Sequence, residues 1–144
     1  AAFDNGKLEC DFVAVLPGQG PKAVGMPELH KLTPYLSVLQ GRGFRVALLT
    51  DGRMSGASGK VLAAIQTTPE ALAGGAIGKI QDGDIIEIDA PKGSLRFVGE
   101  IDWDSREGSV DVDMATQFGL GRELFSMFRR EVGGAESGAT IFDL

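Results

Sequence analysis

Apolar and polar positions along the chain fall into short blocks punctuated by glycine and proline. The run Asp11-Phe12-Val13-Ala14-Val15-Leu16 is rich in β-branched and aromatic residues and closes on Pro17-Gly18, which predicts a buried strand entering a loop. A second continuous run, Phe44 to Thr50, predicts a strand buried on both faces. Between them, Pro27 suits the first turn of a short helix carrying Glu28 to Leu32, and Thr33-Pro34 restarts a helix through Gln40 that Gly41 and Gly43 end. Pro69-Glu70-Ala71-Leu72 predicts a single helical turn before Gly74-Gly75. Further on, Asp84 to Asp89 and Ser94 to Val98 flank Ala90-Pro91-Lys92-Gly93, a strand-turn-strand pattern. Short strands between turns suggest a small barrel or β-layer rather than a doubly wound sheet. After Gly119, Leu120, Leu124, Met127 and Phe128 recur at helical spacing, with Arg122, Glu123, Arg129 and Arg130 off the stripe, and Gly133-Gly134 stops this amphipathic helix. Strands and helices of this kind together predict an α+β domain.

Composition narrows the function. The 144 residues suffice for one domain with a sizeable core. A net charge of -6 argues against nucleic acid as partner, and no apolar run approaches the length of a membrane span. Cys10 is the one cysteine, so it can form neither an internal disulfide nor a cluster site, and it fits a reduced, cytoplasmic setting. Residues 1–10 are expected to be a leading segment or linker, and residues 11–144 the domain.

The chemistry concentrates in two glycine-rich loops, each following a predicted buried strand. One is Thr50-Asp51-Gly52-Arg53-Met54-Ser55-Gly56-Ala57-Ser58-Gly59-Lys60, where glycines permit close backbone approach, Ser55 and Ser58 supply hydroxyls, and Arg53 and Lys60 supply positive charge. That pattern fits an anion site or a catalytic serine loop. The other runs from Gly18 to Lys31 and carries Lys22, Glu28, His30 and Lys31. Two such loops suggest one shared site. Gly18-Gln19-Gly20-Pro21-Lys22-Ala23 imitates a dinucleotide fingerprint, but Pro21, Gly25 and Pro27 deny it the long helix that a pyrophosphate needs. Asp51 before Gly52 reads first as a residue that orders its turn.

The strings GQGPKAVGMPELHKL, TDGRMSGASGK, TPEAL and GAESGATIF resemble the C-terminal domain of the dihydroxy-acid and sugar-acid dehydratases, nearest the 6-phosphogluconate branch. The resemblance spans Phe12 to Phe142 and is loose between Asp82 and Met114. Branched-chain members have a phenylalanine before the serine where this chain has Met54, which favours the sugar-acid side.

The resemblance implies a swivelling β/β/α domain with a small β-barrel-like core and flanking helices. It implies a hydro-lyase reaction in which 6-phosphogluconate loses water to give a 2-keto-3-deoxy acid. It also implies an iron-sulfur cluster, 4Fe-4S, with its ligands in an N-terminal domain absent here, and a homodimeric, cytoplasmic full-length enzyme. By match to Gly-Met-Pro-Glu, Glu28 is implied as a ligand of a divalent metal such as Mg2+, a hard cation suited to oxygen donors. The plain alternative is a carboxylate favouring a helix N-terminus. By match to Asp-Gly-Arg-x-Ser-Gly, Ser55 is implied as the base that takes the proton beside the substrate carboxylate, and the plain alternative is a turn serine. Arg53, Ser58, Lys60, Lys22, His30 and Lys31 are candidate substrate contacts, with Lys60 and Lys31 foremost for phosphate. Two rival functions stay open: another aldonate or dihydroxy-acid dehydratase, and a non-catalytic anion-binding swivelling domain. A binding module would need the glycines and cations but neither Glu28 nor Ser55.

Overall fold

The computed structural model describes residues 2–25, 28–55, 59–108, 110, 119 and 122–142. Strand β1 (Phe12–Leu16) is followed by the short helix α1 (Pro21–Val24), the two-residue strand β2 (Glu28–Leu29) and helix α2 (Thr33–Gly41). Strands β3 (Val46–Thr50), β4 (Arg53–Met54) and β5 (Leu62–Ala64) come next. Two 3-10 turns, Ala71–Ala73 and Ala76–Lys79, lead to β6 (Ile85–Asp89) and β7 (Ser94–Val98). A 3-10 segment, Arg122–Phe125, runs into helix α3 (Ser126–Glu131). No helix among the described residues is long and apolar enough to cross a membrane.

The core is a three-stranded parallel sheet in the order β1-β3-β5, with β3 central and every one of its residues buried. That accounts for its unbroken apolar run, since a strand covered on both faces has no polar side to present. Period-two alternation divides the flanking strand: Phe12, Ala14 and Leu16 pack with Leu36, Leu39 and Leu48 towards α2, whereas Val13 and Val15 pack with Leu49, Ala71 and Ile77 on the other face. Phe3 and Leu8 of the leading segment also lie against the α2 face, and Phe3 meets the ring of Tyr35 edge-on at 5.0 Å.

The α+β mixture and the elements at Thr33–Gly41 and around Ala71 match the sequence reading, as does the hairpin, in which β6 and β7 pair antiparallel. Three points differ. Among the described residues the strands form three separate small sheets and no closed barrel, because long connections return β3 and β5 parallel to β1 while the hairpin pairs only with itself. Glu28 to Leu32 is not a helix: Glu28–Leu29 is extended and pairs with Arg53–Met54. A five-residue helix does not repay its nucleation cost, whereas the bridge gives both loops backbone partners. The terminal helix is shorter than its apolar stripe predicts, and Leu124 (76%) and Met127 (51%) are exposed. Leu120 lies outside the described residues.

Leu48 is 1% exposed at the centre of the sheet, so Leu48→Ala should destabilise the fold by about 2 to 5 kcal/mol, the usual cost of a buried leucine and its cavity. Urea unfolding followed by circular dichroism measures this, and a loss below about 1 kcal/mol would show that the sheet is not the core.

Candidate functional site

Parallel pairing of β1 with β3 brings the C-terminal ends of both strands, and hence both glycine loops, to the same end of the sheet. Thr50 closes β3 by donating its hydroxyl to the Leu16 carbonyl at 2.8 Å, and the same oxygen accepts the Gly52 amide at 3.0 Å. The next residue, Asp51, is fully buried. Its carboxylate accepts the Gly18 amide at 3.1 Å, the Gln19 amide at 2.8 Å and the Ala71 amide at 2.8 Å. One side chain thus ties the loop after β1 to the loop after β3 and to the turn at Ala71. Gly52 is required by this approach, because a Cβ there would sit 2.7 Å from the Cβ of Gln19 and 2.9 Å from its carbonyl oxygen.

A second buried carboxylate, Glu70, receives the amides of Lys22 at 3.1 Å and Ala23 at 3.3 Å and so holds the first turn of α1. Burial raises its pKa above the usual carboxylate range; the bonds from Lys22 and Ala23 work in the other direction, and the Asp51 charge adds to the rise.

Beside these loops opens a cleft of about 490 Å3, whose lining includes Gln19, Glu28, His30, Lys31, Phe125 and Arg129. Strand pairing sets Glu28 opposite Arg53, and their side chains form an ion pair at 3.3 Å. Both are about two-fifths exposed, so the pair contributes no more than about 1 kcal/mol and leaves Glu28 open to exchange partners. The His30 Nδ1 lies 3.3 Å from the Glu28 carbonyl oxygen; with the proton on Nδ1 that bond leaves Nε2 for other contacts.

The predicted residues therefore divide into groups. Glu28, His30 and Lys31 share the cleft, and Arg53 joins them through Glu28. Ser55 directly follows β4, half-buried, one residue beyond the cleft-lining Met54. Lys22 and Lys60 are exposed and lie outside the lining; the Lys60 carbonyl accepts Gln40 Nε2 at 3.0 Å. Ser58 lies outside the described residues.

Residues 1–139 match the family model described as dihydroxy-acid/6-phosphogluconate dehydratase C-terminal. The chain belongs to the dihydroxy-acid/6-phosphogluconate dehydratase family. It is 54% identical to the phosphogluconate dehydratase of Pseudomonas aeruginosa, over 99% of this chain and 23% of that protein. It is 56% identical to the phosphogluconate dehydratase of Rhizobium meliloti, over 98% of this chain and 23% of that protein. Identity to the dihydroxy-acid dehydratase of Halothermothrix orenii is 38%, over 97% of this chain and 25% of that protein. The chain thus spans about a quarter of the length of these curated relatives.

Among the described residues no three His, Cys, Asp or Glu side chains come together as a metal site, and Glu28 is the one carboxylate lining the cleft. Glu28 fits as a single oxygen donor to a shared ion, not as a complete cage. Cys10 is exposed and stands alone, so this piece does not suffice to hold an iron-sulfur cluster.

Sequence reasoning missed two contributors. Glu70 reads locally as one member of a helical turn, and only the approach of α1, 48 residues away in sequence, reveals its role. Arg129 reads as an off-stripe charge on an amphipathic helix, yet it lines the cleft.

The raised pKa of Glu70 has a definite sign in stability. Between the ordinary carboxylate value and the raised one, the native state holds a proton that the unfolded chain has released, so stability falls as pH rises through that window. Glu70→Gln removes this component. The stability of the wild type relative to Glu70→Gln should therefore decline from the ordinary carboxylate range towards neutrality, as read from urea midpoints at a series of pH values. A difference that is flat or grows with pH contradicts the assignment.

Proposed function

We propose that this chain is the C-terminal part of a 6-phosphogluconate dehydratase, with residues 1–10 leading into a domain of residues 11–144 that has the swivelling β/β/α organisation of the family. The reaction removes the proton from C2 and the hydroxyl from C3 of 6-phospho-D-gluconate. The resulting enol takes a proton at C3 to become 2-keto-3-deoxy-6-phosphogluconate, the conversion that defines the Entner-Doudoroff route. The observation that carries this reading is the 54–56% identity to proteins named phosphogluconate dehydratase over nearly all of this chain, against 38% to a dihydroxy-acid dehydratase. The cationic cleft is in keeping with a substrate that carries both a carboxylate and a phosphate.

In this reading the active enzyme is cytoplasmic and homodimeric, and a preceding N-terminal domain holds a 4Fe-4S cluster. When bound, that cluster supplies Lewis acidity towards the leaving hydroxyl. The residues of this chain do the rest. Ser55, at the end of β4, takes the C2 proton. Glu28 provides an oxygen ligand for a divalent ion such as Mg2+. The positive charge of Arg53, two residues before Ser55, lowers the cost of an alkoxide, without which a hydroxyl is too weak a base. Arg53, His30 and Lys31 engage the acid's oxygens, and Ser58, Lys60 and Lys22 are further candidate substrate contacts.

Ser55→Ala in the full-length enzyme should leave folding, cluster content and substrate affinity nearly intact while kcat falls about 100-fold or more, the usual worth of a positioned general base. Exchange of the substrate's C2 proton with solvent should vanish in the same variant. Retention of most of kcat, or loss of activity through unfolding alone, would make Ser55 a turn residue and place the base elsewhere.

A further inference from the structure

The cleft carries a cation that the reading above does not use. We propose that Arg129 binds the terminal phosphate of the sugar acid and so sets the preference for a phosphorylated over an unphosphorylated substrate. This assignment rests on the reading of the chain as part of a 6-phosphogluconate dehydratase.

Three observations lead there. The first is charge. The chain has 20 acidic against 14 basic residues, yet among the described residues the charged side chains lining the cleft are Lys31 and Arg129, with His30 beside them, against Glu28. Glu28 in turn sits 3.3 Å from Arg53. The cleft is therefore locally cationic on an acidic chain, which is the electrostatic setting for an anion.

The second is how Arg129 is delivered. Helix α3 buries none of its six residues, so core packing does not account for its placement. It rests instead on the end of α1: a Cβ at Gly25 would lie 3.2 Å from the Phe125 Cβ and 3.6 Å from the Arg129 Cγ. Gly25 also has φ of +80°, a conformation that other residues rarely adopt. A glycine at this turn lets Phe125 approach the end of α1 closely, with the stem of Arg129 in van der Waals range beside it.

The third is the contrast with the next residue. Arg130 is exposed, whereas Arg129, adjacent in sequence, is half-buried and lines the cleft. A guanidinium presents its N–H groups in a planar fork that matches two phosphate oxygens, which a lysine does not. A volume of about 490 Å3 lies within the range for small-molecule sites. In 6-phosphogluconate the phosphate is at the opposite end of the carbon chain from C2, so its anchor must stand apart from the base. Arg129 comes from α3, a different element from the β4 loop that carries Arg53 and Ser55.

The test compares 6-phosphogluconate with gluconate in the full-length enzyme, for wild type, Arg129→Leu and Arg129→Lys, with inorganic phosphate as a competing probe. Arg129→Leu should raise KM for 6-phosphogluconate about 10- to 100-fold, leave kcat within a few-fold, leave KM for gluconate unchanged, and weaken inhibition by inorganic phosphate. Arg129→Lys should recover part of the loss. Arg129→Gln gives the same comparison should the leucine variant not fold. A wild-type enzyme that prefers gluconate overturns the functional reading itself. A wild type that prefers 6-phosphogluconate, with the Arg129 variants changing both substrates equally or neither, overturns this assignment alone.

Discussion

The buried carboxylate of Asp51 is the constraint on which the rest of the site depends. Burying a charged group is costly unless it is fully hydrogen-bonded, and here three backbone amides from two distant segments, Gly18 and Gln19 on one side and Ala71 on the other, converge on it. Because β1 and β3 run parallel, the loops leaving them already emerge side by side. Asp51 turns that proximity into a fixed relation. Without it, two glycine-rich segments would pay a large entropy cost to adopt one arrangement.

The candidate site hangs from that joint. The loop after β1 leads through α1 to Glu28, His30 and Lys31, and the loop after β3 leads to Arg53 and Ser55, so the β2–β4 bridge that sets Glu28 opposite Arg53 presupposes that the loops lie together. Glu70 repeats the device one layer out, taking amides of α1 where Asp51 takes those of the preceding loop. The two carboxylates are near enough for the charge of Asp51 to raise the pKa of Glu70. The candidate site residues are thereby placed by backbone contacts to buried acids, while their side chains remain partly exposed.

Much of this was legible in the chain before folding was considered, and the reasons differ by residue. The strands at Phe12 and Val46 announce themselves by apolar runs cut off by Pro17-Gly18 and Asp51-Gly52, and the ordering role of Asp51 follows from its place before a glycine. The match of residues 1–139 to the family bears out the resemblance read from the loop strings. What stayed hidden depends on contacts distant in sequence. Glu28–Leu29 has no strand signal of its own and becomes extended because Arg53–Met54 is beside it. Glu70 sits in a turn whose local pattern says nothing of burial, and Arg129 looks like a solvent-facing charge until α3 is laid against Gly25. The barrel-like core expected from short strands and turns fails for the same kind of reason: strand length does not reveal partners, and here β6 and β7 pair only with each other among the described residues.

Amide hydrogen exchange in Asp51→Asn tests the joint most directly, because the variant keeps the size of the side chain and replaces one carboxylate oxygen with a donor. Exchange at Gly18, Gln19 and Ala71 should accelerate together by about tenfold or more, in step with the loss of net hydrogen-bond energy, while amides of β3 such as Leu48 keep their protection. Unchanged exchange at those three amides, or acceleration spread evenly over the whole chain, would contradict the view that this one carboxylate holds the two loops in place.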